Sequence, residues 1–124
     1  MIHKVNHGDI VEYGGNRYKA VGGYLYLQRK HVLTAEEALQ KLCKFFGVQV
    51  DILRSSDRRQ RIADLRTIYC FCAVKVCGLH PREVAAAVRR DRSTVLTSVK
   101  RAVAIADVDR VFAARLADAR ALLV

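Results

Sequence analysis

The chain has little that would let it cross a membrane, hold a metal or run a reaction. No apolar run approaches the ~20 residues that a membrane helix needs, and the opening Met1-Ile2-His3-Lys4-Val5-Asn6 has no apolar signal-peptide core. A cytoplasmic protein with no membrane contact is the expectation. Cys43, Cys70, Cys72 and Cys77 form no CxxC pair and have no histidine at ligand spacing. They read as buried reduced thiols, which pack as small hydrophobes, and not as a metal site or a disulfide framework. His3, His7, His31 and His80 are dispersed. No Ser/His/Asp, Cys/His or paired-carboxylate arrangement stands out, and the G-x-x-x-x-G-K-[ST] pattern of a nucleotide-binding loop is absent. No catalytic residue, no metal and no cofactor are expected, and the protein is read as not an enzyme.

Acidic residues are the other scarcity. Lys and Arg number 22 against 12 Asp and Glu, a net charge of +10. Between positions 51 and 101 the bases are Arg54, Arg58, Arg59, Arg61, Arg66, Lys75, Arg82, Arg89, Arg90, Arg92, Lys100 and Arg101. The acids there are only Asp51, Asp57, Asp64, Glu83 and Asp91. A surface built for solubility alone mixes the signs more evenly. The excess favours a polyanionic partner, through release of its counterions.

Two regions differ in pattern. In residues 1–31, Gly8, Gly14, Gly15, Gly22 and Gly23 punctuate short runs of β-formers. Residues 9–13 and 17–21 flank Gly14-Gly15-Asn16, a hairpin signal, and Tyr24-Leu25-Tyr26-Leu27-Gln28 is a third candidate strand. A small antiparallel β-meander of this length cannot bury a core alone.

From Thr34 the pattern is helical. Thr34-Ala35-Glu36-Glu37 is a capping-box sequence, Leu39, Leu42, Cys43 and Phe46 recur at helical steps, and Gly47 stops the helix. A short turn at 50–53 leads to a loop at 54–61. Asp64 is then the expected cap of a mostly apolar central helix, 65–77, closed by Gly78. Pro81 opens a short helix, 81–89, with Val84, Ala85 and Val88 inward. Arg90 turns the chain to Asp91, the expected cap of the next helix, which should bury Val95, Leu96, Val99 and Val103. After a break at Asp107-Val108-Asp109, Val111, Phe112, Leu116, Ala119, Leu122 and Leu123 continue as a final amphipathic helix. Two helices across a tight turn at about 81–106 have helix-turn-helix proportions. Residues 34–124 therefore read as one mainly α, multi-helix domain.

Asp91-Arg92-Ser93-Thr94-Val95-Leu96 is the most informative segment. A capping Asp followed at once by Arg, Ser and Thr, and then by a helical apolar period, is how a recognition helix presents polar side chains to base edges. Ser93, Thr97, Lys100 and Arg101 fall on the face opposite the apolar one.

From about position 35 to 123 the sequence resembles the C-terminal DNA-binding domain of the bacterial replication initiator DnaA. The anchors are Ala38-Leu39-Gln40-Lys41-Leu42-Cys43-Lys44-Phe45-Phe46, then Gly47-Val48-Gln49-Val50-Asp51-Ile52-Leu53, then Arg54-Ser55-Ser56-Asp57-Arg58-Arg59, similar to the family's basic loop L-x-S-x-x-R. The last anchor is Asp91-Arg92-Ser93-Thr94-Val95-Leu96, close to the signature D-H-[ST]-T-V-[LI]. The resemblance implies an all-helical domain that binds short asymmetric boxes of double-stranded DNA. It also implies major-groove reading by Asp91, Arg92, Ser93 and Thr94, with Arg58, Arg59 and Arg61 on phosphates and in the adjacent minor groove. Thr94 offers a methyl to a thymine methyl and Asp91 can accept from cytosine N4. The candidate DNA-binding set is Arg54, Arg58, Arg59, Arg61, Arg66, Arg89, Arg90, Asp91, Arg92, Ser93, Thr94, Thr97, Lys100 and Arg101.

Three departures bear on specificity. Arg92 stands where the family has His, and its fork favours guanine O6 and N7. The turn before Asp91 carries Arg89 and Arg90 in place of a glycine-bearing loop. The family's R-P-R-Q reads Asp64-Leu65-Arg66-Thr67, which keeps Arg66 alone. Without a nucleotide-binding loop the expectation is a freestanding binding module, in replication-related or transcriptional control, and not a whole initiator. An adaptor whose N-terminal β-rich segment docks a protein partner is the alternative. Single-strand or RNA stacking on Tyr24 and Tyr26 is a third reading.

Overall fold

A computed structural model describes residues 10–13, 16–21, 24–28 and 33–124 of this chain. They fall in two units, Met1–Val32 and Leu33–Val124. In the first, strands β1 (Ile10–Tyr13), β2 (Asn16–Val21) and β3 (Tyr24–Gln28) pair antiparallel in the order β1-β2-β3. Asn16 lies opposite Tyr13 and Val21 opposite Tyr24. Asn16 thus belongs to the ladder and not to the turn. Asp9, His3, His7 and His31 lie outside the described residues, as do the side chains of Tyr24 and Tyr26. The docking and base-stacking readings of this segment therefore fall outside the described residues too.

The second unit is mainly α. It holds helices α1 (Ala35–Phe46), α2 (Val50–Arg54), α3 (Gln60–Lys75), α4 (Pro81–Val88), α5 (Arg92–Val108) and α6 (Arg110–Leu123). No helix among the described residues is long and apolar enough to cross a membrane.

Helix α1 starts where its capping box requires. Thr34 Oγ1 accepts from the Glu37 N–H at 3.1 Å, and Glu37 Oε1 accepts from the Thr34 N–H at 3.1 Å. Gly47 ends it in the left-handed region, φ 70°, a conformation that strains any residue with a Cβ. The segment expected as a turn at 50–53 is instead the single-turn helix α2, with Leu53 buried beneath it.

Helix α3 begins at Gln60, earlier than the start expected from Asp64. Asp64 lies inside the helix, buried, and its Oδ1 accepts from Gln60 Nε2 at 2.8 Å one turn back. The chain is directed into α3 by Asp57, whose Oδ1 accepts the Arg59 N–H at 2.9 Å. Ile62, Leu65, Ile68, Tyr69, Cys70, Cys72 and Ala73 are all buried. The helix is enclosed on most sides, and its apolar residues accordingly show no one-sided stripe. Each buried leucine or isoleucine contributes roughly 1.5–3 kcal/mol. The Tyr69 hydroxyl donates to the Ala35 carbonyl at 2.8 Å and ties α3 to the start of α1. All four cysteines are buried and form no disulfide among the described residues. Burial pushes the thiols of Cys43 and Cys70 up to about 11 and that of Cys72 up to about 12.

Pro81 takes the first position of α4, and His80 Nδ1 accepts the Arg82 N–H at 3.1 Å. Val84, Ala85 and Val88 are buried, as the spacing predicts. Helix α5 buries Val95, Val99 and Ala102. Leu96 and Val103, expected to face inward, are instead exposed, at 39% and 52%. Each sits one residue, about 100°, past a buried position, and the inward stripe is too narrow to include it. Asp109 caps α6 by accepting the Phe112 N–H at 3.0 Å. Phe112, Leu116, Ala119 and Leu123 are buried, whereas Val111 faces solvent.

Candidate nucleic-acid interface

Helices α4 and α5 with the turn between them form the helix-turn-helix. Arg89 closes α4 in the left-handed conformation, φ 55° and ψ 52°, and the Arg90 N–H returns to the Ala85 carbonyl at 2.9 Å. That closure normally uses glycine. An L-residue with a Cβ loses about 1–2 kcal/mol there, so Arg89 supplies the geometry that a glycine-bearing loop otherwise would.

Asp91 occupies the cap position of α5 with extended backbone, but its side chain accepts no capping hydrogen bond. The expectation that its carboxylate caps the helix is corrected: only its carbonyl is used, accepting the Val95 N–H at 3.1 Å. The side chains of Asp91, Arg92, Ser93 and Thr94 are exposed and have no partner among the described residues. The unbonded N–H groups of this first turn add a positive pole that attracts anions. Thr97, Lys100 and Arg101 are exposed along the same helix. Val95, Val99 and Ala102, buried on the other side, hold the helix against the core.

The basic loop, expected at 54–61 and observed at 55–59 between α2 and α3, lies beside this turn because Arg90 bridges them. Arg90 Nη1 donates to the Arg54 carbonyl at 3.2 Å and Nη2 to the Ser55 carbonyl at 2.5 Å. Arg66, from α3, donates through Nε to the Leu53 carbonyl at 2.8 Å and through Nη2 to the carbonyls of Ser55 and Asp57 at 3.2 and 3.1 Å. Those carbonyls mark the C-terminal end of α2, where cations are favoured. Burial first, and then the Arg90 cation, hold the Arg66 guanidinium below its usual range, with Asp57 pulling the other way. Arg54 donates through Nε to the Ala87 carbonyl at 2.8 Å and forms an ion pair with Glu36.

The remaining cations divide. Arg59 is paired with Asp57 at 2.7 Å, and its hydrogen bonds hold the Asp57 carboxyl below the usual carboxylate range. Arg61 donates to the Phe46 carbonyl at the end of α1 at 2.7 Å. Arg58 is exposed with no partner among the described residues. Of the candidate set, Arg58, Arg89 and the residues of α5 thus present free side chains, while Arg54, Arg66 and Arg90 turn theirs onto the backbone. Ser55 and Ser56, which charge counting passes over, line the cleft among these arginines. Their signal in the sequence was a Ser-Ser pair set between basic residues.

The family model described as bacterial DnaA protein helix-turn-helix matches residues 35–102, more than half of the chain. The match takes in α1 to α4 and α5 as far as its last buried residue, Ala102. No curated protein matches the chain.

Proposed function

The chain belongs to the bacterial DnaA helix-turn-helix family, and from that premise we propose that it binds duplex DNA sequence-selectively, in control of replication or transcription. One observation carries the reading. Asp91, Arg92, Ser93 and Thr94 stand exposed and uncommitted at the head of a helix whose other face is locked into the core. A groove reader needs this combination, since side chains already bonded within the protein cannot bond to bases without losing those partners. In this reading Arg92 takes a guanine through N7 and O6, and Asp91 accepts from a cytosine amine. Ser93 and Thr94 contact the neighbouring base edges and phosphate, while Thr97, Lys100 and Arg101 follow the phosphates along α5. Arg58 and Arg89, free at the two loops, reach the flanking backbone or the minor groove. The module binds and carries out no reaction of its own.

The test is selection of bound duplexes from a random pool, with fluorescence anisotropy at several salt concentrations. An enriched motif that disappears in Arg92→Ala or Thr94→Ala is the expected outcome. A steep salt dependence with no enriched motif would reduce the helix to a phosphate-holding surface and sink the sequence-selective reading.

A further inference from the structure

Two surfaces of the helical unit have no part in the duplex reading, and they are opposite in shape and in charge. The first is a hollow of about 430 Å³ where the end of α1, α2 and the start of α3 meet. Ile62, buried, and Val48 and Ile52, half-buried, line it, with Gln49, Arg59 and Arg61 beside them. Asp57 compensates the charge of Arg59. Arg61 has no ion pair among the described residues and uses only Nη2, on the Phe46 carbonyl. A guanidinium carries five N–H groups, so Nε and Nη1 of Arg61 stay open to an acceptor. The hollow is apolar inside and cationic at one edge.

The second surface is the corner between α5 and α6. Val108, the last residue of α5, is 86% exposed, and Val111, in the first turn of α6, is 61% exposed. Asp107 and Asp109 flank Val108. The Asp107 carboxylate has no partner among the described residues. Asp109 caps α6 through Oδ1, which leaves Oδ2. Arg110 follows, exposed, and pairs with neither aspartate. Two carboxylates beside two bare valines make an acidic, apolar knob on a chain of net charge +10. Apolar side chains this bare gain by being covered. The knob does not fill the hollow of its own chain. Helix α2 packs on α1, α3 and α4 and not on α5 or α6, and both valines face solvent.

We propose that the acidic corner of one copy seats in the hollow of a second copy. Val108 is covered by Val48, Ile52 and Ile62, while Asp107 pairs with Arg61. Charge complementarity selects this occupant. A guest for the hollow must bring an apolar side chain next to a carboxylate, and Asp107-Val108-Asp109 does so on an exposed corner. A host for the knob must bring apolar walls next to an uncompensated cation, and the hollow has both. Because the two surfaces differ, the contact is head-to-tail, and each pair leaves one knob and one hollow free for further copies. A contact this small is weak and transient. The inference goes beyond the duplex reading and does not rest on it.

Sedimentation equilibrium of the full chain at low salt reads the contact, with concentration raised to about 1 mM, the weak end of specific association. The weight-average mass should rise past that of a dimer and fall again on adding salt, which screens Asp107 from Arg61. Val108→Asp spoils the knob at a bare position. Gln49→Asp spoils the hollow with a carboxylate and keeps a residue suited to the start of α2, where Gln49 makes no capping bond. Each alone should weaken association roughly tenfold, the loss of an interface anchor. Mixed in equal amounts, the two variants should form a dimer and nothing larger, since only one good knob and one good hollow remain between them. Arg61→Glu should weaken association as much, and adding Asp107→Arg to the same chain should restore it. Leu96→Ser, at an exposed apolar position outside both surfaces, should change nothing. A monomer at every concentration, either spoiled variant associating like the parent, a mixture that stays monomeric, or an equal loss with Leu96→Ser would overturn the contact.

Discussion

Arg66 and Arg92 are the same amino acid put to opposite uses. At the corner between α2 and α3, Arg66 is half-buried and gives its hydrogen bonds to the carbonyls of Leu53, Ser55 and Asp57. At the head of α5, Arg92 is exposed and gives none to any described residue. Arg54 and Arg90 side with Arg66; Ser93, Thr94, Lys100 and Arg101 side with Arg92. A basic stretch is therefore not one surface. Part of it builds the corner that positions α5, and the rest is left free to meet a ligand. Charge counting sees both as phosphate contacts, while hydrogen-bond accounting separates them.

The two regions should respond to substitution in opposite ways, and the sharpest break lies at the corner. Arg66→Leu strands the carbonyls of Leu53 and Asp57, while Ser55 keeps its bond from Arg90, and should lower unfolding free energy by about 2–4 kcal/mol in urea titration. Arg101→Leu should stay within about 0.5 kcal/mol of the parent protein. Equal effects would erase the distinction drawn between corner and helix.

At the head of α5 the loss should fall on binding. Thr94→Ala should weaken affinity for the selected duplex by about 1–3 kcal/mol, the range for a good base contact, with unfolding in urea unchanged. A destabilised variant with normal affinity would show that Thr94 serves the fold.

Arg89 belongs to both regions, since it shapes the turn while its side chain stays free. Arg89→Gly relieves the left-handed strain and should stabilise the domain by about 1 kcal/mol. Its affinity for duplex should fall through loss of a cation, with a shallower salt dependence. A more stable variant with unaltered salt dependence would assign Arg89 to the turn alone.

The smallest difference concerns two caps. Thr34→Ala removes the hydroxyl that accepts the Glu37 N–H, leaves the Thr34 N–H bonded to Glu37 Oε1, and should destabilise by about 1 kcal/mol. Asp91→Ala removes no capping bond and should change stability by less than about 0.5 kcal/mol. A full capping loss at Asp91 would mean that its carboxylate serves the helix and is not free for a base.

Local chemistry was legible at several helix ends, but not at Asp91, whose side chain makes no capping bond, nor at 50–53, where a turn was expected and α2 forms. Thr34 with Glu37, Gly47, Pro81 and the break at Asp107-Val108-Asp109 are start and stop signals that act within a few residues, and the sequence alone places them. The inward positions of α4 and the burial of the four cysteines follow from apolar spacing in the same way. Asp64 was misread because a capping type also forms an i,i+4 pair inside a helix, and only the true start at Gln60 distinguishes the two. Leu96 and Val103 were misread because apolar identity does not say how wide the buried stripe is.

The linear chain by itself determined that residues 34–124 are helical, that a short helix and a tight turn precede a helix headed by Asp91-Arg92-Ser93-Thr94, and that the partner should be anionic. Those properties depend on near neighbours and on summed charge. Only the tertiary structure decided which arginines are free. Apart from the Val88 and Arg89 carbonyls next to Arg90, the carbonyl acceptors of Arg54, Arg66 and Arg90 lie 9 to 36 residues away along the chain. They become neighbours only once Leu53, Leu65 and Val88 are buried together. A guanidinium is spent on carbonyls or left for phosphate according to that packing, and no local pattern encodes it.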